Sequence, residues 1–145
     1  MKRKIAIWTI CFVALIAWTG LAFAQTEKPA AIKTVKLPSG EEVFDISGEW
    51  DAFVECYGPW KEYGSYPQLT KITQDGTSFT GIRMIDDPNN QKGSPSIRGD
   101  LSKDGFKLVY IVAWGAIIAD GKISGDGKKI VVDDGQKIRW TLTRK

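Results

Sequence analysis

The sequence predicts an all-β domain: an antiparallel up-and-down (meander) barrel of about eight strands, preceded by a signal peptide. Three observations carry that prediction. Asp-Gly pairs punctuate the chain at Asp75-Gly76, Asp104-Gly105, Asp126-Gly127 and Asp134-Gly135, and Asp-Gly between alternating runs signals a hairpin because tight turns need positive φ. Between these pairs lie short runs rich in β-branched and aromatic residues, at the spacing of a barrel or sandwich. A glycine recurs inside three of the runs, at Gly81, Gly99 and Gly121. A mid-strand glycine marks a bend or bulge, which a tightly curved sheet requires and a flat one does not. A sandwich, or a barrel of five or six strands, is the alternative arrangement.

Taken in order, M-K-R-K supplies a positive n-region, residues 5–21 an apolar stretch and A-F-A at 22–24 a small-residue cleavage site, the pattern of a signal peptide. Residues 1–24 are therefore expected to be removed between Ala24 and Gln25, with export by the Sec route to the bacterial periplasm or the exterior. The rival is an uncleaved anchor, since the run approaches the lower limit for a span; that would be the only membrane contact. Cys11 lies inside the segment and no cysteine stands directly after the site, which argues against a lipoprotein anchor. Residues 25–43 read as a linker with a short hairpin near P-S-G-E-E-V-F (38–44). The barrel domain spans 44–145. Its strands are expected at 49–57, 69–74, 78–85, 96–101, 106–114, 116–123, 129–133 and 137–144, with Gly58–Tyr66 and Asp86–Ser94 as the longest loops.

Charge excludes some partners. Three of the 20 basic residues and none of the 17 acidic ones fall within 1–24, leaving 17 of each sign. A neutral domain of mixed charge offers no electrostatic case for nucleic acid or anionic lipid. Beyond the signal only Cys56 remains, so packing rather than an internal disulfide must hold the fold.

Side-chain parity suggests how the ends meet. Trp50, Ala52, Val54 and Cys56 share one face of the first barrel strand; Ile138, Trp140, Leu142 and Arg144 share one face of the last. Antiparallel pairing of the two would lay Arg144 against the Trp50 indole, its guanidinium stacked on the ring and bonded to carbonyls at the barrel end. The G-x-W of Gly48-Glu49-Trp50, a meander of hairpins and a terminal Arg144 resemble the calycin superfamily of lipocalins, fatty-acid-binding proteins and avidins, over residues 46–145. L-T-K-I-T-Q-D-G-T-S-F-T-G (69–81) is also similar to the second hairpin of avidin-like chains. The chain departs from these groups in lacking an N-terminal helix, a T-D-Y turn motif and the polar biotin set of avidins. The resemblance implies that Gly48, Trp50 and Arg144 close the barrel structurally.

Catalysis finds little support. The chain has no histidine, which removes the usual general base and the commonest metal ligand. Cys56 would need a base or a cationic neighbour to act as a nucleophile, and its parity points inward. Asp86-Asp87 with Asn89 and Asn90, or Asp133-Asp134, supply oxygen ligands but reproduce no calcium-loop spacing and suit ordinary turns. No enzyme activity, cofactor or metal is expected.

A barrel of this size is either filled or holds one small ligand. Tyr110 and Gln74 are the candidate polar handles of a mostly apolar pocket, with Trp140 and Phe79 in its wall and Trp60 and Tyr63 at its mouth. The opposing reading is that Trp50, Phe79, Tyr110 and Trp140 fill the lumen. The resemblance implies an exported, non-enzymatic binding protein holding a small apolar or amphipathic molecule. The alternative is a protein-interaction module, an inhibitor or envelope-associated partner, that presents Tyr57, Trp60, Tyr63 and Tyr66 of the 57–66 loop.

Overall fold

Period-two alternation decides the architecture. In Gly48–Cys56 the residues Trp50, Ala52 and Val54 are buried while Glu49, Asp51, Phe53 and Glu55 face water, the pattern of a strand with one wet face. The computed structural model describes residues 33–102, 105–113 and 115–145. The signal segment and its cleavage site, Asp104 of one Asp-Gly pair and Trp114 lie outside the described residues.

A short antiparallel hairpin, β1 (Thr34–Lys36) with β2 (Glu42–Phe44), precedes the barrel. The barrel strands are β3 (Gly48–Cys56), β4 (Ser65–Asp75), β5 (Ser78–Arg83), β6 (Pro95–Ser102), β7 (Gly105–Val112), β8 (Gly115–Ile123), β9 (Lys129–Asp133) and β10 (Ile138–Arg144). Each pairs antiparallel with the next, and β10 returns to β3, so the sheet closes and has no free edge. The closing register sets Ile138 against Cys56, Trp140 against Val54, Leu142 against Ala52 and Arg144 against Trp50. A closed eight-stranded meander is compatible with a calycin-like barrel.

The inward face forms one core running from Val43 and Ile46 at the floor, through Trp50, Ile72, Phe79, Phe106 and Leu142, to Val54, Val112, Ile117 and Ile138 at the top. The floor is sealed twice. Val43 of the leading hairpin is buried there. Gln74 ties the incoming chain down, accepting from Ile46 N (2.8 Å) and donating to the carbonyls of Phe44 (3.1 Å) and Gly76 (2.9 Å).

Of the three mid-strand glycines, Gly81 lies at an irregularity in the β5–β6 register, a bulge between Gly81 and Ile82. The other two serve packing rather than bending. Gly99 pairs with Phe79 and Gly121 with Phe106. A Cβ on Gly99 would come within 2.4 Å of the Lys107 carbonyl and 2.7 Å of Phe79 Cζ, and one on Gly121 within 2.2 Å of the Phe106 ring. Each glycine leaves a hollow that the cross-strand phenyl ring covers. The two rings then meet edge to face, 5.4 Å apart at 85°, a favoured aromatic geometry.

One strand is much longer than its sequence suggests. β4 begins at Ser65, not Leu69, and contains Pro67. Proline cannot donate to a ladder and is tolerated where one side is unpaired. That condition holds here: Pro67 pairs with Phe53 of β3, whereas pairing with β5 starts only at Thr70.

Candidate ligand-binding site

The extension of β4 changes the character of the lumen. Its inward residues are Tyr66, Gln68, Thr70 and Ile72, all buried. Across the barrel top the same alternation on β5 brings in Arg83, only 1% exposed, and β6 contributes Ser96. The loop between β5 and β6 then folds over this end and inserts Asp87. The Arg83 and Asp87 side chains are 1% and 0% exposed and meet at 3.0 Å, Nε to Oδ2.

That pair sits in a saturated network. Arg83 donates from Nη1 to the Pro95 carbonyl and to Ser94 Oγ (3.4 Å), and from Nη2 to the Ile111 carbonyl. Asp87 accepts from Gln68 Nε2 on Oδ2, and from Asn89 N and Asn90 Nδ2 on Oδ1, each at 2.9 Å. Burial alone would raise the Asp87 carboxyl, but these hydrogen bonds and the Arg83 charge outweigh it and hold it below the usual carboxylate range. The carboxylate is thus committed within the protein, and among the described residues no cluster of acidic, cysteine or histidine side chains is arranged to hold a metal.

Beside this network lie three buried polar atoms with no hydrogen-bond partner: Tyr110 Oη, Trp140 Nε1 and Asn89 Nδ2. Two of them belong to neighbouring rings. The Tyr110 and Trp140 rings pack 5.1 Å apart at 46°. The Arg83 guanidinium carbon stands 5.8 Å from the centre of the Tyr110 ring. The Tyr66 hydroxyl approaches both Tyr110 and Asn89, near enough to influence its ionisation but without hydrogen-bond geometry at Tyr110. Burial pushes both tyrosine hydroxyls up, so each stays protonated. The upper lumen is therefore a layer of buried polar and aromatic side chains, with Tyr110 Oη and Trp140 Nε1 unpaired, above the apolar core.

The sequence candidates are dispersed in this frame. Tyr110 and Trp140 lie in this layer and are fully buried. Phe79 is buried lower down, against Phe106. Gln74 does not join Tyr110: it lies at the opposite end with its amide bound to backbone, because its strand runs from top to floor. Trp60 and Tyr63 belong to a 3-10 turn, Gly58–Tyr63, at the barrel top. Their rings meet edge to face at 6.0 Å, and Trp60 packs against the core with Lys137 Nζ 5.5 Å from its ring centre.

Two members of the expected aromatic contact surface are drawn elsewhere. Tyr66 is 5% exposed and faces the lumen, which corrects its assignment to the surface loop. Tyr57 is half-buried and donates to Asp133, and burial and that carboxylate push its hydroxyl up to about 12. Cys56 is half-buried, and burial raises its thiol. At the floor, Arg144 stands 4.6 Å from the centre of the Trp50 ring, donates from Nη1 to the Ser47 carbonyl at 2.9 Å and bonds the Asp45 carbonyl. The Trp50 indole N–H donates to the Ile46 carbonyl at 2.9 Å. Gly48 has φ of +126°, a backbone conformation open to glycine, and a Cβ there would stand 3.8 Å from Arg144 Nη1.

Sequence reasoning missed Gln68 and Arg83, and it read Asp87 and Asn89 as turn residues or oxygen ligands rather than as partners of Arg83 and Tyr66. Parity carried backwards from Ile72 reaches Gln68, and carried forwards from Gly81 reaches Arg83; Pro67 concealed the first. For Asp87 and Asn89 no local signal exists, because a loop's path over a barrel is set by the barrel.

No family model matches the sequence, and no solved structure matches it significantly. Among curated proteins the chain is similar to a secretory-abundant heat soluble protein of a Hypsibius tardigrade, 32% identical over 94 residues. The match covers 63% of this chain and 49% of that protein, so the chain spans about half the length of the curated relative it matches.

Proposed function

We propose that this chain is an exported, non-enzymatic binding protein that holds a small amphipathic molecule in the upper barrel lumen. The polar end of the molecule lies among Tyr110, Trp140 and Asn89, and its apolar part contacts Val54, Val112 and Ile138. One observation carries the reading: three buried polar atoms without partners lie on the upper part of the barrel. Buried polar groups in folded proteins are nearly always paired, and each unpaired one costs about 1–3 kcal/mol. A molecule that pairs them recovers that loss on binding. The secretory name of the Hypsibius relative and the sequence of residues 1–24 favour export.

Native mass spectrometry of the protein from its own host tests this reading. The expected result is an adduct of a few hundred daltons that is lost on denaturation. Tyr110→Phe and Trp140→Phe keep the rings and remove the donors, so both should reduce the adduct. An adduct-free protein that also binds no amphiphile added to it would refute the proposal.

A further inference from the structure

The geometry points to a neutral, acceptor-bearing head group, the carbonyl of an ester, ketone or amide, as the polar end of the ligand, in preference to a carboxylate. This inference rests on the lumen-binding reading and narrows it.

The charge balance of the upper lumen supplies the argument. Among the described residues the fully buried charged side chains are Arg83 and Asp87. They neutralise each other at 3.0 Å, and both are satisfied by further partners: Arg83 by Ser94 and the Pro95 and Ile111 carbonyls, Asp87 by Gln68, Asn89 N and Asn90. Arg83 is therefore not a spare cation. A carboxylate brought here would be a third buried charge without a counter-ion, and a buried charge is costly unless paired.

The unspent groups make the complementary demand. Trp140 Nε1 and Asn89 Nδ2 can only donate, and the Tyr110 hydroxyl can donate as well. They ask for lone pairs and bring no net charge, and a carbonyl oxygen supplies two lone pairs without a charge. Water satisfies the same donors, so the discriminating property is charge.

Methyl palmitate and palmitic acid share a chain and differ in head-group charge at neutral pH. Their affinities for the full chain would be compared by calorimetry in detergent-free buffer. The ester is expected to bind about tenfold or more tightly than the carboxylate, the penalty of an unpaired buried charge. Lowering the pH until the acid is protonated should close the gap. Trp140→Phe should weaken ester binding about tenfold while carboxylate binding stays weak. Asp87→Asn frees the Arg83 charge and should reverse the preference. Equal or tighter binding of the carboxylate by the wild-type chain would overturn the inference and leave the lumen reading standing. An unchanged preference in a folded Asp87→Asn protein would likewise overturn it. Failure of both molecules to bind would overturn the inference together with the lumen reading.

Discussion

Replacing Arg144 by alanine should open the seam where the first and last barrel strands meet. The guanidinium lies 4.6 Å from the Trp50 ring centre and bonds two carbonyls, Ser47 O at 2.9 Å and Asp45 O. A partly desolvated cation–π contact contributes about 1–2 kcal/mol. Hydrogen bonds from a charged donor contribute about 1.5 kcal/mol each at the low end, the appropriate end for a half-buried group. The total, about 4 kcal/mol, is a large share of the roughly 5–15 kcal/mol that holds a domain together. At about 4 °C per kcal/mol for a domain near this size, Tm should fall by about 16 °C. Arg144→Lys should lose about half as much, keeping the cation and losing the fork. Lys145→Ala is the control: its contact with Asp51 is 3.8 Å long and exposed, and such pairs contribute little. Thermal unfolding followed by circular dichroism reads the stability. Amide exchange reads the location, which should be the β10–β3 ladder rather than β6–β7. A fall in Tm of less than about 3 °C, or protection lost evenly around the barrel, would refute the reasoning.

Two further outcomes follow from the upper lumen and the lower core. Because the Asp87 carboxyl lies below its ordinary value of 3.8 in the folded chain, its stabilising contribution is complete above that value and is lost as pH falls through the folded one. Tm measured across the acid range should therefore drop more steeply for the wild type than for Asp87→Asn; equal slopes would remove Asp87 from the account. Gly99→Ala would drive a methyl into the Lys107 carbonyl and the Phe79 ring, and overpacking of this kind costs about 1–3 kcal/mol. Chemical denaturation should show that loss, and an unchanged midpoint would mean that the Phe79–Gly99 hollow has slack.

Local pattern was enough to reveal eight strands, most of their inward faces and the meander, because side-chain alternation and turn chemistry are properties of neighbouring residues. The pairing of Arg144 with Trp50 was also legible, since closing a meander must bring its two end strands together and parity then selects the facing residues. Tertiary structure decided the rest. Strand direction put Gln74 at the floor and Tyr110 near the top, although both point inward, and parity carries no information about height. Pro67 belongs to a strand only because β5 leaves that stretch of β4 unpaired. The meeting of Asp87 with Arg83, and of Asn89 with Tyr66, depends on where a loop crosses the closed end, a place that exists only once all eight strands are closed. Sequence alone thus determined which faces are buried; the three-dimensional path determined which buried polar groups are satisfied and which are left to seek a partner.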